Sequence, residues 1–145
     1  TMIVNYLIEG PVTIREVSMM FENTGDKKLA GGHSVFIGQV RADNIEGKTV
    51  KAIEYSAYGA MVKTEGDKIV SEIISEFSDV QSVNIIHSTG TVLAGEKSLF
   101  IMVSAGHRQQ AIQACARTVE LIKERLPVWK KEIYEDETHT WRQNH

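Results

Sequence analysis

The 145-residue sequence has one cysteine, two prolines and no strong excess of charge of either sign. The lone Cys115 excludes an internal disulfide and suits a reducing compartment, so we expect the cytoplasm. A formal net charge of -3 argues against broad nucleic-acid binding, which usually shows a strongly basic footprint. No apolar run approaches a membrane span, and the start lacks the basic and apolar regions of a signal peptide.

Motifs for several common chemistries are also missing. There is no P-loop, dinucleotide fingerprint or serine elbow. The five histidines show no close metal-ligand spacing, so we expect neither a metal site nor a cofactor. Cys115 lies in an apolar helical stripe, which favours a small buried hydrophobe over a nucleophile.

The composition is that of an ordinary globular protein, with 42% hydrophobic and 24% charged residues. The length fits one domain over residues 1–145. Hydrophobic periodicity and turn residues predict an α+β fold with a largely antiparallel sheet. The predicted helices cover about 13–22, 60–77 and 108–126, and the predicted strands about 3–8, 35–40, 50–57, 80–87, 91–93, 98–104, 128–134 and 138–142.

Some local features sharpen this outline. Thr13 and Glu16 have the spacing of a capping box at a helix start. The run 99–103 is apolar at every position, which predicts a central strand. Polar, glycine-bearing connections are predicted at 23–32 and 41–48. Gly38 within a strand indicates a bulge or a close approach of another backbone.

Lys123 interrupts the apolar pattern of the last predicted helix. On a helical wheel it falls inside a stripe of residues that should pack, namely Ile112, Cys115, Ala116, Val119, Ile122 and Leu126. Two interpretations stay open. The side chain extends its charge to water along the edge of the core, or it ends in a cleft where burial lowers its pKa for catalysis.

Other basic residues stand at the ends of predicted elements. His107 and Arg108 open the last helix, where free N–H groups suit an anion. Lys130 follows the end of the same helix, and Arg41 follows the strand that carries Gly38. Each could be an ordinary surface residue. If they converge, they form a site for an anionic substrate.

Four segments together carry a family pattern: FIGQVR at 36–41, EYSAYGAM at 54–61, SAGHR at 104–108 and KERLPVWKKE at 123–132. In order and spacing they resemble the large, catalytic subunits of molybdopterin synthases, from about residue 11 to residue 144. The sequence departs from that pattern at Ser88, where an arginine is usual. It also lacks a glycine before Trp141.

The resemblance implies a sulfurtransferase of molybdenum cofactor biosynthesis. In this family a small ubiquitin-like subunit carries sulfur as a thiocarboxylate on its C-terminal glycine, and its tail enters the large subunit. Sulfur passes to cyclic pyranopterin monophosphate, and two rounds give the dithiolene of molybdopterin. Two large subunits form a central homodimer within a heterotetramer. The implied fold is an α/β hammerhead with an added antiparallel β subdomain.

The resemblance also implies roles for individual residues. Lys123 and Lys130 match the two functional lysines of the family. The implied substrate-binding residues are Gln39, Val40, Arg41, His107, Arg108, Lys131 and Glu132, with Arg41 able to act across a dimer interface. Two alternatives stay open: a catalytically silent scaffold that binds the ubiquitin-like subunit, and an unrelated small α+β ligand-binding domain that has these motifs by chance.

Overall fold

Helices and strands alternate along the chain much as the periodicity predicts. The structure, a computed structural model, describes residues 2–22 and 28–144. Within these residues no helix is both long and apolar enough to cross a membrane. The elements are β1 (Leu7–Glu9), α1 (Ile14–Glu22), β2 (Gly32–Gln39), β3 (Asn44–Ile45), β4 (Lys48–Ala57), α2 (Gly59–Glu76), β5 (Val80–Leu93), β6 (Lys97–Ala105), α3 (Arg108–Arg125), β7 (Val128–Tyr134) and β8 (His139–Gln143).

The sheet has two parts that share the long strand β5. The strand order is β2-β6-β5-β4-β7-β8, with β1 added to β5 and β3 added to β4. Residues 80–87 of β5 pair with β6, and residues 90–93 pair with β4. Gly90, with φ of 76°, lies where β5 changes partner. Every pairing but β1 with β5 is antiparallel, so the predicted α+β class is confirmed.

Strand β6 is central, as its apolar run predicts. Leu99 and Ile101 pack on the face that α2 and α3 cover. Phe100 and Met102 point to the other face, where Val17 of α1 packs against them. Burial of each such side chain stabilises the fold by about 1.5–3 kcal/mol, so β6 anchors both faces of the sheet.

Several local predictions are confirmed. The backbone N–H of Thr13 donates to Glu16 Oε1 at 2.7 Å, as a capping box requires. The pairing of β2 with β6 shifts register at Gly38, which is the expected bulge. A Cβ at Gly38 would also lie 3.2 Å from Leu99 Cβ.

Other predictions need correction. The opening strand begins at Leu7, because Asn5 and Tyr6 have positive φ and form a tight turn between Val4 and Leu7. The strands predicted at 80–87 and 91–93 are one strand, β5. The connection 41–48 contains the short strand β3. Of the predicted loop 23–32, residues 23–27 lie outside the described residues, and β2 already begins at Gly32.

The buried face of α3 is rotated from the predicted stripe. Ile112 is 58% exposed and Ala116 is exposed, whereas Cys115, Ile122 and Leu126 are buried as predicted. The helix packs through small residues instead, because these let it approach the sheet closely: Ala111, Ala114 and Thr118. Lys123 therefore lies at the edge of the buried face rather than within it, and this edge borders a cavity.

Candidate active site

A polar cavity of about 310 Å³ opens where the two parts of the sheet meet the C-terminal end of α3. Its walls come from the end of β2 and the segment after it, from β4 and β7, and from Asn144. Lys123 of α3 and Lys130 of β7 both line it. The structure therefore brings together the two lysines that the sequence singles out.

The environment of Lys123 makes its ammonium costly. Burial lowers the pKa of Lys123, and the nearby positive charge of Lys130 lowers this pKa further. Within residues 2–22 and 28–144, no carboxylate forms an ion pair with Lys123. A lysine with a lowered pKa can exchange protons or act as a nucleophile near neutral pH, and while charged it attracts anions.

Strand alternation decides which residues of β7 reach the cavity. Lys130 and Glu132 point to one face and line it, whereas Lys131 points to the other face. There Lys131 forms an ion pair with Glu54 at 3.2 Å and lies 5.2 Å from the ring of Trp141. The structure therefore places the side chain of Lys131 outside the cavity.

The segment after the Gly38 bulge forms the opposite wall. Gln39, Val40 and Arg41 all line the cavity. Val40 is fixed at both backbone groups, since its N–H donates to Glu96 and its carbonyl accepts from Gly95. The Arg41 side chain is 81% exposed and pairs with an aspartate two residues on, so it stands at the rim. Its guanidinium remains accessible to an anion from outside.

Glu132 is the buried carboxylate of the cavity. It is 6% exposed and forms an ion pair with Arg142 of β8. A buried carboxylate needs a partner, and Arg142 is the partner that forms an ion pair with Glu132. Arg142 thereby compensates a charge that Lys123 and Lys130 would otherwise balance, which leaves the lysines available to a ligand.

His107 and Arg108 lie elsewhere. Both are exposed at the N-terminal end of α3, about four helical turns or about 22 Å along the axis from Lys123. Asp79 already occupies this helix end, accepting from the His107 backbone N–H at 2.6 Å and contacting its ring Nδ1 at 3.1 Å. Within one chain, His107 and Arg108 therefore do not converge with Lys123, Lys130 and Arg41.

The cavity also has polar residues that the sequence does not single out. The hydroxyl of Tyr55 donates to Ser98 Oγ at 3.1 Å, and both residues line the cavity. Asn144, 8% exposed, lines it as well and contacts the buried His87. Tyr55 falls inside a family segment, but no sequence signal marks Asn144, because its position depends on β8 returning along β7.

The fold and the cavity together define a class: an α+β protein whose polar cavity is lined by two lysines and bordered by an arginine. A family model described as "MoaE protein" matches residues 7–125. The chain therefore belongs to the MoaE family.

Individual relatives agree with this assignment. The "Molybdopterin synthase catalytic subunit" of Drosophila melanogaster is 35% identical over 139 residues, covering 95% of this chain and 36% of that protein. That of Taeniopygia guttata is 40% identical over 114 residues, covering 79% and 72%. The crystal structure of molybdopterin synthase from Staphylococcus aureus matches with a TM-score of 0.81 at 29% identity, covering 94% of each chain. The chain thus spans about a third of the length of the insect relatives.

Proposed function

We propose that this chain is the catalytic subunit of a molybdopterin synthase. It would transfer sulfur from the C-terminal thiocarboxylate of a small ubiquitin-like subunit to cyclic pyranopterin monophosphate. The single observation that carries this proposal is the convergence of Lys123 and Lys130 in one cavity, with the pKa of Lys123 lowered by burial. The family membership and the names of the relatives supply the reaction.

The charge of the cavity suits the reactants. A thiocarboxylate tail and a phosphorylated substrate are both anionic, and each would be attracted by the two ammonium groups. A lysine of lowered pKa also has a neutral fraction, which can take or donate a proton, or link to the tail, during transfer. Since the tail supplies the sulfur, the buried Cys115 needs no part in the chemistry.

The assembly we propose contains two copies of this chain. His107 and Arg108 are too far from Lys123 to reach the same ligand within one chain, so a second copy would have to supply them. Strand β2 offers a surface for this pairing, because it is an edge strand with large exposed apolar residues beside the cavity: Val35, Phe36 and Ile37. A homodimer flanked by two small subunits would be the resulting heterotetramer.

Reconstitution tests the proposal. Purified chain is mixed with thiocarboxylated small subunit and cyclic pyranopterin monophosphate, and dithiolene product is measured. We expect product with the wild type and a loss of at least about 100-fold with Lys123→Ala, because the proton-transfer group is gone. The matched control is Lys68→Ala on α2, an exposed lysine away from the polar cavity, which should leave the rate unchanged.

The outcomes separate the alternatives. A Lys123→Ala variant with full activity would refute the catalytic role of this lysine. Binding of the small subunit without any product would favour the silent scaffold. Failure to bind the small subunit at all would refute both functions.

A further inference from the structure

A buried hydrogen-bonded pair, His87 and Asn144, lies behind the polar cavity. His87 is 1% exposed, and its Nδ1 lies 2.8 Å from the carbonyl oxygen of Ser88. Its Nε2 lies 2.8 Å from Nδ2 of Asn144. The ring also packs edge-on against Tyr55, with the ring centroids 5.1 Å apart. Every side of the imidazole is therefore held in place.

The protonation of His87 fixes the orientation of the Asn144 amide. A carbonyl oxygen accepts only, so Nδ1 must carry the hydrogen and donate to Ser88. Burial lowers the pKa of His87 to about 4, so the ring is neutral and Nε2 has a lone pair. Asn144 must then present its NH₂ group to Nε2. Its Oδ1 is the polar atom that remains for the cavity.

Asn144 stands at a junction between two cavities. With Lys123 it lines both the polar cavity and an adjoining one of about 260 Å³. The adjoining cavity is bordered by the exposed apolar residues Met61 and Trp129. An extended peptide that enters past these two side chains would pass beside Lys123 and Asn144 on its way to Lys130.

A peptide buried along this path needs hydrogen-bond acceptors for its N–H groups. Three other polar side chains of the cavity already have partners. Glu132 is paired with Arg142, and the hydroxyls of Tyr55 and Ser98 bond to each other. The Oδ1 of Asn144 differs from these, since a buried partner fixes its direction without using it.

We propose that Asn144 binds the backbone of the entering tail, its Oδ1 accepting one peptide N–H just before the terminal group that reaches Lys123 and Lys130. His87 is a positioning residue, which acts by holding the amide of Asn144. This inference rests on the proposed function, because that function supplies a peptide tail. The Oδ1 of Asn144 would be a neutral hydrogen-bond acceptor beside the charged groups of the site.

An ester scan of the tail tests this hydrogen bond. The probe is the small subunit in its unreactive carboxylate form, with each of its last amide bonds replaced in turn by an ester. An ester lacks the N–H donor. We expect one ester position to weaken binding to the wild type about three- to tenfold. In Asn144→Ala the all-amide tail should bind about three- to tenfold more weakly, and the same ester should cause no further loss.

Variants of His87 separate positioning from a general structural role. His87→Gln keeps an acceptor near the place of Nε2 and should retain the ester sensitivity, whereas His87→Leu should lose it. The matched control is Thr138→Ala, which removes a 2.9 Å hydrogen bond from Lys48 in the turn before β8, away from the cavity. It should leave both affinity and ester sensitivity unchanged.

Each outcome decides the matter. Equal ester sensitivity in the wild type and Asn144→Ala would overturn the inference while leaving the proposed function intact. If no ester weakens binding to the wild type, the inference is also overturned and the proposed function stays intact. This measurement uses only the wild-type protein, so it does not depend on whether the variants fold. If the wild type does not bind the small subunit at all, the proposed function fails and the inference falls with it.

Discussion

The two ends of α3 carry basic residues in opposite surroundings. At the N-terminal end His107 and Arg108 are exposed, and Asp79 accepts a hydrogen bond from the backbone N–H of His107. At the C-terminal end Lys123 is half-buried beside Lys130, in a cavity. The first end is a solvated rim on which a carboxylate is already placed. The second is a confined site with excess positive charge.

The helix dipole alone would predict the opposite effect on Lys123. A helix C-terminus favours a cation by about 0.3–1 kcal/mol, which should raise the pKa of Lys123. Burial and Lys130 outweigh this effect and lower the pKa instead. Arg125, two residues on, has ion pairs with Glu65 and Glu72, and its pKa is raised. Burial beside another ammonium lowers the pKa of Lys123, whereas two carboxylate partners raise that of Arg125 at the same helix end.

The largest expected effect tests whether the two ends of α3 serve one site across two copies. Lys123→Ala and Arg108→Ala should each be nearly inactive alone. If the proposed dimer forms, mixing them in equal amounts with free exchange should restore about a quarter of the wild-type rate, because half the dimers then have one intact site of two. Product formation after mixing is the measurement.

The matched control for this experiment mixes Lys123→Ala with Lys130→Ala. Both lysines line the same cavity of one chain, so a mixed dimer with these variants has no intact site. No rate should return. Equal recovery in both mixtures would show that exchange or contamination, rather than shared sites, produces the activity. No recovery in either would contradict a site shared between copies.

The sequence predicted the lysine pair better than the rest of the site. Lys123 is a charged residue within the apolar pattern of a helix, and such a mismatch can be recognised from the sequence alone. The wheel nevertheless placed it on the wrong part of the face, because alanines contribute little to an apolar pattern. Ala111 and Ala114 are in fact buried, while Ile112 is exposed.

The sequence could not show which residues from distant parts of the chain reach the cavity. Lys130 and Lys131 are adjacent lysines that the sequence does not distinguish. Only the pairing of β7 with β4 and β8 decides that Lys130 faces the cavity. Asn144 reaches the site through the return of β8. His107 and Arg108 share a helix with Lys123, but about 22 Å of rise separates them. A family pattern indicates that residues belong to one site, but it does not show whether they come from one chain or from two.

A smaller effect contrasts the stabilities of Lys123 and Arg125 variants. The pKa of Lys123 is lowered, so below that pKa the native state bears a cost that the unfolded chain lacks. Lys123→Met should therefore stabilise the protein by about 1 kcal/mol at pH 7. Arg125→Met should destabilise it by about 0.5–1 kcal/mol, since two ion pairs are lost. Urea unfolding gives both free energies.

The pH dependence supplies the control for these stabilities. As the pH rises from the native pKa of Lys123 towards about 10.4, the unfolded chain holds more protons than the native state, so wild-type stability gains a rising contribution. That contribution should be absent in Lys123→Met and present in Arg108→Met. A Lys123→Met variant less stable than the wild type at pH 7 would mean that its ammonium is not costly.

The smallest effect uses His87 as an internal reporter of the charge on Lys123. Burial is the main cause of its pKa of about 4, and the Lys123 ammonium lowers it further. Lys123→Met should therefore raise the pKa of His87 by less than about one unit, while burial keeps it below the ordinary value of about 6.5. NMR titration of the ring measures the shift. Arg108→Met, at the far end of α3, should leave the pKa of His87 unchanged.

The same reporter sets a limit on acid stability. Between about pH 6.5 and 4, His87 is protonated in the unfolded chain but neutral in the native state. The free energy of unfolding therefore decreases as the pH falls through this range. A higher native pKa in Lys123→Met would make that fall shallower. An unchanged pKa and an unchanged slope would show that the charge of Lys123 does not reach His87. The C-terminal end of α3 would then be less confined than its geometry indicates.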